Sequence, residues 1–261
     1  MQYLDNDCLA GLSDEAFQTR RPYPWVNIQN TLTPEAFERL RTTMPDISLF
    51  EKMVGVKRAY GQGYHDRAIL HYRPGLPLAE PWREFVAEIQ GETYDSFIRR
   101  MLGRPAGKRI IFSMEWYYGW QGCGVSPHCD ARRKLATHIF YFNTLADWEA
   151  DWGGEILIMD DEGRRKAHSA PEFDALKVAA SLDPRGNGSL LFMRTEHSWH
   201  GVHPLKAPAG QLRKLFIVTM NAPTIQVWWR RLRGKDPDGY QLAPWEGAPA
   251  RPEAAPEPVK A

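Results

Sequence analysis

The pattern of apolar residues changes after Pro105, and this change constrains the fold more than any other feature of the chain. Beyond it, apolar side chains recur with period two, which is typical of strands. One face of the first strand carries Ile110, Phe112, Met114, Trp116 and Tyr118, and the other face carries Ile111, Ser113, Glu115 and Tyr117. Further strand-like runs lie at 135–143, 154–159, 189–194 and 214–220. Because turn-forming residues separate these runs, the pattern predicts an antiparallel sandwich or barrel over about 106–222.

Helix signals come before the strands. The tripeptide Thr33-Pro34-Glu35 predicts a helix start, with an N-cap, a first-turn proline and an acid that suits the helix dipole. Two further stripes at helical spacing follow Pro81 and Gly91. We therefore expect a helical N-terminal part over about 1–105, packed on one face of the β core. The predicted class is mainly β with a helical layer, an α+β arrangement.

The length and composition indicate one domain. With 261 residues, of which 43% are hydrophobic, the chain can bury a sizeable core. We expect a single domain over 1–246, in which the segment 223–246 covers the barrel. Residues 247–261 are mostly Ala, Pro and Glu, a composition that predicts a disordered tail.

The composition also argues against several classes of protein. A net charge of +1 gives no global attraction to nucleic acid, and no apolar run approaches the roughly 20 residues of a membrane helix. The three cysteines, Cys8, Cys123 and Cys129, show neither zinc spacing nor a disulfide framework. The start of the chain does not resemble a signal peptide, so we expect a cytoplasmic protein. The sequence carries no signal for an oligomeric state.

The tripeptide His128-Cys129-Asp130 is a candidate metal site. Side chains two apart on a strand point the same way, so His128 and Asp130 could bind one metal together. A distant histidine could complete the set, and two histidines with one carboxylate suit Fe(II) with open positions. His197, His200 and His203 are the candidates, all beyond the apolar run 189–193. The alternative is a turn with a solvated His and Asp.

Five motifs in order resemble those of the 2-oxoglutarate- and Fe(II)-dependent oxygenases, in their prolyl-hydroxylase-like branch. They are His128-Cys129-Asp130, Tyr141-Phe142-Asn143, Trp152-Gly153-Gly154-Glu155, His200-Gly201-Val202-His203-Pro204 and Arg213. The resemblance runs from about residue 110 to about 221. It implies a double-stranded β-helix core of the jelly-roll or cupin-like kind, and it selects His200 as the distal metal ligand.

The resemblance also implies a pocket for 2-oxoglutarate. Arg213 matches the family's cation for the far carboxylate, a task that suits a planar guanidinium. We expect one strand hairpin to place His200 and Arg213 on the same inner face. Tyr141 and Tyr118 match pocket tyrosines, although a register slip of one residue would exchange Tyr118 for Tyr117. The family reaction hydroxylates a C–H bond and releases succinate and CO₂. The resemblance also makes ascorbate a candidate reductant.

Three functions remain open at this point. The first is a hydroxylase that acts on a peptidyl, prolyl-like residue or on a small molecule. The second is an oxidative demethylase of nucleic acid, which would use Trp228, Trp229 and the neighbouring arginines Arg230, Arg231 and Arg233. We favour instead a covering helix with its apolar face turned inward. The third is a non-oxidative, cupin-like metal protein in which Arg213 is only structural.

Overall fold

A computed structural model describes residues 1–56, 62–233 and 243–244 of the chain. Two antiparallel sheets face each other, and helices pack on the larger one. The strands are β1 (Trp25–Gln29), β2 (Glu51–Met53), β3 (Arg67–His71), β4 (Ile111–Gly119), β5 (Val125–His128), β6 (Lys134–Tyr141), β7 (Ile156–Asp160), β8 (Lys177–Leu182), β9 (Gly188–Met193), β10 (Trp199–Val202), β11 (Arg213–Asn221) and β12 (Ala243–Pro244). The helices are α1 (Asn6–Ala10), α2 (Asp14–Thr19), α3 (Pro34–Thr42), α4 (Glu80–Ile89), α5 (Glu92–Met101) and α6 (Ile225–Leu232). The predicted fold class, a double-stranded β-helix core with helices on one face, is confirmed.

Between β4 and β11 the chain passes back and forth between the two sheets. The larger sheet has the order β1-β9-β6-β11-β4-β3-β2-β12, and the smaller has the order β5-β10-β7-β8. At the centre of the larger sheet, β11 pairs with β4 on one side and β6 on the other. Arg213 is the first residue of β11, and it lies directly across from Gly119 at the end of β4.

The helical layer forms where the sequence predicts it. The Thr33 hydroxyl accepts a hydrogen bond from the Ala36 amide, which caps α3 at its N-terminus. Helices α4 and α5 are separated at Gly91, and their apolar stripes pack on the larger sheet. The Trp82 ring of α4 meets the Trp116 ring of β4 edge-on, with centroids 5.2 Å apart. This contact fixes one face of β4 against the helices.

The other face of β4 is turned towards the smaller sheet. Met114, Trp116 and Tyr118 belong to the core under the helices, while Tyr117 belongs to the core between the sheets. The period-two alternation predicted for this segment is therefore present, and both of its faces are buried. The space between the sheets holds the candidate site.

The ends of the chain differ from expectation. The N-terminal part predicted as helical also contributes β1, β2 and β3, which extend the larger sheet. In the segment 223–246, α6 buries Val227 but leaves Trp228 and Trp229 exposed at 55% and 49%. The prediction of an inward apolar face is thus wrong for both tryptophans.

The tail predicted at 247–261 lies outside the described residues. In the part of the chain that the structure describes, no helix is long and apolar enough to cross a membrane.

Candidate active site

Two neighbouring strands of the smaller sheet bring the candidate histidines together. His128 ends β5 and His200 lies in β10, and these two residues are directly paired across the strands. Their ring centroids are 4.3 Å apart. Asp130 follows β5, and one ligand atom each from His128, Asp130 and His200 lie within 4.8 Å of one another. All three side chains are buried.

Backbone carbonyls fix the orientation of both imidazoles. The Nδ1 atom of His128 lies 3.1 Å from the Ser126 carbonyl oxygen, and Nδ1 of His200 lies 3.0 Å from the Ser198 carbonyl oxygen. A carbonyl can only accept a hydrogen bond, so each Nδ1 carries the proton and each Nε2 carries the lone pair. The Nε2 atom of His128 lies 4.0 Å from Asp130 Oδ1. Two neutral imidazoles and a carboxylate therefore converge with their donor atoms inward.

Asp130 is held at both of its carboxylate oxygens. Lys134 Nζ lies 3.0 Å from Oδ1, and the Thr137 hydroxyl donates to Oδ2 at 2.8 Å. Burial by itself would raise the pKa of Asp130, but the charge of Lys134 and its hydrogen bond hold that pKa well below its usual range. The carboxylate is therefore ionised and oriented, as a metal ligand must be.

Arg213 faces the histidines from the opposite sheet. It lines the same cavity of about 80 Å³ as His128, Asp130 and His200. The expectation that one hairpin carries His200 and Arg213 is wrong, because β10 and β11 belong to different sheets. Sequence order does not reveal which sheet a strand joins. The two residues nevertheless face the same space, as predicted.

The Arg213 side chain is buried without a complete set of partners. It is 2% exposed, and its Nε and Nη2 atoms have no hydrogen-bond partner among the described residues. The hydroxyl of Tyr141 is likewise buried without a partner in the described part of the chain. Burial lowers the pKa of Arg213 and raises that of Tyr141. Buried donors without acceptors are costly, so this corner is suited to a bound carboxylate.

The two neighbouring tyrosines of β4 are exchanged relative to the prediction. The Tyr118 hydroxyl donates to the Pro45 carbonyl at 2.7 Å, and its ring stacks on Phe50 with centroids 4.2 Å apart. The prediction that Tyr118 lies in the pocket is therefore wrong, because its side chain points to the helical side of the sheet. Tyr117 lines the cavity instead. Burial raises the pKa of Tyr117 to about 12, against the opposing charges of Arg213 and Arg67.

The other histidines near β10 lie away from this cluster. His197 bonds to Asp161 at 2.9 Å and is 44% exposed in its side chain. His203 is exposed, and its ring lies 4.0 Å from that of Phe173. His65, from the N-terminal part, lines the cavity with its ring 5.7 Å from that of His128. His65 belongs to the Gly-rich, aromatic segment 60–67, whose composition predicts a substrate-contacting loop; residues 60 and 61 lie outside the described part.

Cys129, between the two candidate ligands, points away from the cavity. Its thiol is buried in a small apolar cluster with Met159 and Trp199. Burial raises the pKa of this thiol well above its usual value. The thiol is thus protonated and shielded, which removes much of the oxidation hazard that its sequence position indicates.

The comparisons with known proteins agree with this geometry. Residues 114–220 match the family model of the 2OG-Fe(II) oxygenase superfamily. The match spans β4 to β11, which is less than half of the chain, and it gives the family of this segment. That superfamily implies Fe(II) and 2-oxoglutarate. The donor set fits both groups: two imidazole nitrogens and a carboxylate for Fe(II), and the buried donors of Arg213 and Tyr141 for the carboxylate.

Solved structures of similar fold include several prolyl hydroxylases. A prolyl hydroxylase from Trichoplax adhaerens, in complex with a hypoxia-inducible-factor peptide fragment, has 17% sequence identity and a TM-score of 0.57. That match covers 83% of this chain and 90% of the other. A prolyl-4-hydroxylase from Pseudomonas putida has 16% identity and a TM-score of 0.56, over 82% of this chain and 98% of the other. At these identities the likeness establishes the fold. No curated protein matches the chain by sequence.

Proposed function

We propose that this chain hydroxylates a C–H bond of a peptidyl, prolyl-like residue or of a small molecule, with release of succinate and CO₂. The observation that carries the proposal is the cavity shared by a buried His-Asp-His cluster and a buried guanidinium with unpartnered nitrogens. In the overall reaction, one oxygen atom of O₂ enters the substrate and the other enters succinate. The proposal treats residues 1–246 as one oxygenase domain, since strands from the N-terminal part extend the larger sheet.

Each residue has a separate task in this proposal. His128, Asp130 and His200 hold Fe(II), which when bound supplies the activation of O₂ at the expense of 2-oxoglutarate. Arg213 and Tyr141 bind the far carboxylate of 2-oxoglutarate. Tyr117 lines the same cavity. The apolar walls, which include Ile139 and Phe192, exclude water from the reacting centre.

Two considerations support this substrate class. The proteins of similar fold include prolyl hydroxylases, one of them bound to a peptide fragment. The cavity is about 80 Å³ and would also hold the metal and 2-oxoglutarate, so a large substrate would present one side chain or one end at its mouth rather than enter whole. A peptidyl residue and a small metabolite both meet this requirement.

Two assays test this function. The first measures succinate formation from 2-oxoglutarate with Fe(II) and O₂, and the second scans peptide libraries and cell extracts for a gain of one oxygen by mass spectrometry. We expect His128→Ala to abolish succinate formation. His203→Ala is the matched control, because His203 is exposed, three residues beyond His200, and the variant should remain active. Activity retained in His128→Ala and lost in His203→Ala would refute the assigned ligand set.

A further inference from the structure

We propose that Gly154 is a positioning residue for 2-oxoglutarate, because the missing side chain at this position makes room for the Arg213 guanidinium. The inference rests on the proposed role of Arg213 as the anchor of the far carboxylate. Gly154 lies just before β7, in the smaller sheet, whereas Arg213 begins β11 in the larger sheet. The two residues therefore meet across the space between the sheets.

The contact between Gly154 and Arg213 is too close to take a methyl group without a shift of a few tenths of an ångström. A Cβ atom at position 154 would lie 3.0 Å from both Cδ and Nε of Arg213, and 3.4 Å from Cδ2 of Leu205. Favourable separations between such atoms are about 3.5–4.0 Å. Either the turn that carries residue 154 or the Arg213 side chain would have to move.

The turn is tied down by the two residues just before Gly154. The Trp148 indole nitrogen donates to the Gly153 carbonyl at 2.8 Å, and the Lys206 amide donates to the Trp152 carbonyl at 2.9 Å. The rings of Trp148 and Trp152 also meet edge-on, with centroids 5.4 Å apart. Arg213 is anchored less firmly, since its Nε and Nη2 atoms have no hydrogen-bond partner among the described residues. We therefore expect the Arg213 side chain, rather than the turn, to move when a methyl group is added at position 154.

A displaced Arg213 would lose its alignment with the cosubstrate. A guanidinium binds a carboxylate through a planar fork of donors, so a change in its plane weakens both hydrogen bonds. Because Nε is itself one of the atoms in contact with residue 154, its displacement moves the whole fork. The proposed metal ligands lie on β5 and β10 or, for Asp130, just after β5, and would keep their places. The substitution should therefore weaken only the binding of the far carboxylate of 2-oxoglutarate.

The test compares Gly154→Ala with Gly153→Ala. Both glycines have positive φ, +97° and +75°, so both variants carry backbone strain. At position 153, however, the nearest atom to an added Cβ is Glu155 Oε2 at 3.7 Å, an ordinary contact. The matched control therefore reproduces the strain without the conflict with Arg213.

Anaerobic calorimetry of the Fe(II)-loaded proteins with 2-oxoglutarate and with oxalate gives the readout. Oxalate can chelate the metal but has no far carboxylate. We expect Gly154→Ala to raise the Kd of 2-oxoglutarate about tenfold or more relative to Gly153→Ala, with the Kd of oxalate changed less than about twofold. Equal 2-oxoglutarate affinity in the two variants, or equal weakening of both ligands in Gly154→Ala, would overturn the inference.

A stability comparison covers the case in which Gly154→Ala folds poorly. If the methyl group conflicts with the Arg213 side chain, Gly154→Ala should lower the urea midpoint less in an Arg213→Ala background than in the wild type. Equal losses in both backgrounds would contradict the inference. Normal 2-oxoglutarate affinity in Arg213→Ala alone would instead refute the proposed function, so the two failures are distinguishable.

Discussion

The Thr137 hydroxyl donates a hydrogen bond of 2.8 Å to the Asp130 carboxylate, and this bond links the two sheets at the candidate metal site. Thr137 lies in β6 of the larger sheet, while Asp130 follows β5 of the smaller sheet. Sequence reasoning did not identify Thr137, because nothing in a run of strand residues marks one threonine as the partner of a distant carboxylate. The bond leads to the first prediction.

Replacing Thr137 by valine should weaken metal binding. Valine keeps the shape of threonine but removes the hydroxyl donor, so the Asp130 carboxylate loses one of its two side-chain partners. Partners of metal ligands typically contribute roughly 10- to 100-fold in metal affinity, and we expect a loss of that size for Fe(II) or Mn(II) by calorimetry. Thr137→Ser is the control, since it keeps the hydroxyl. Equal metal affinity in Thr137→Val and the wild type would contradict this prediction.

Tyr141 and Tyr118 should differ sharply in their effect on 2-oxoglutarate. Tyr141→Phe removes a proposed donor to the far carboxylate, and a hydrogen bond to a charged group contributes about 1.5–3 kcal/mol, or roughly tenfold or more in Kd. Tyr118→Phe removes only the bond to the Pro45 carbonyl and should cost about 1 kcal/mol of stability. Titration with 2-oxoglutarate and urea unfolding separate the two effects. A weaker affinity for 2-oxoglutarate in Tyr118→Phe would show that Tyr118 contributes to the pocket after all.

Arg213→Ala should raise the Michaelis constant for 2-oxoglutarate by about two orders of magnitude, because both donors of the guanidinium fork are lost. The affinity for Fe(II) should stay within about twofold, since the metal ligands lie on the opposite sheet. Initial rates of succinate formation at varied 2-oxoglutarate give the first quantity, and calorimetry gives the second. An unchanged Michaelis constant would rule out the proposed role of Arg213.

His138 should make the fold sensitive to acid. Burial lowers the pKa of this histidine from 6.5 to about 3, and its ring bonds to the Tyr94 and Ser189 hydroxyls at 2.9 Å each. Between these pKa values the unfolded chain binds one proton more than the folded chain, so stability falls as pH falls through this window. The expected loss from this group is about 1.4 kcal/mol per pH unit.

The His138 prediction is checked by urea unfolding between pH 7 and pH 5. The wild type should lose stability more steeply than His138→Gln, which carries no titrating group at this position. Because other groups titrate in the same range, the difference between the two slopes is the quantity to compare. Parallel slopes in the two proteins would contradict the assignment.

Cys129 should be inert despite its position between two candidate ligands. Its thiol packs with Met159 and Trp199, and burial raises its pKa. We expect iodoacetamide to modify the partly exposed Cys8 before Cys129, and Cys129→Ala to keep Fe(II) affinity within about twofold. Peptide mapping after timed labelling measures the first quantity. Labelling of Cys129 as fast as that of Cys8 would show that the thiol is accessible.

Much of the fold follows from local sequence signals. Thr33 and Pro34 mark the start of α3, and the alternation from Ile110 to Tyr118 marks β4. These signals are local because caps and side-chain period depend on neighbouring residues alone. The three-residue strand β2 lacks any such pattern, since it is too short to show alternation. Its place at the sheet is set by pairing with β3.

The site shows where local reasoning fails. Alternation assigns Tyr117 and Tyr118 to opposite faces, but both faces of β4 are buried, so the pattern does not reveal which one meets the cavity. Pairing of β10 with β5, rather than with β11, is likewise a long-range choice that spacing does not encode. The cluster of His128, Asp130 and His200 could be predicted because a family pattern supplied the missing long-range information.

The most direct test of the metal and cosubstrate sites is an anomalous-scattering map from crystals grown with Mn(II) and 2-oxoglutarate. We expect one strong peak within bonding distance of His128 Nε2, His200 Nε2 and the Asp130 carboxylate, with the far carboxylate of 2-oxoglutarate bound to Arg213. A peak bound by other residues, or a carboxylate that does not reach Arg213, would contradict it.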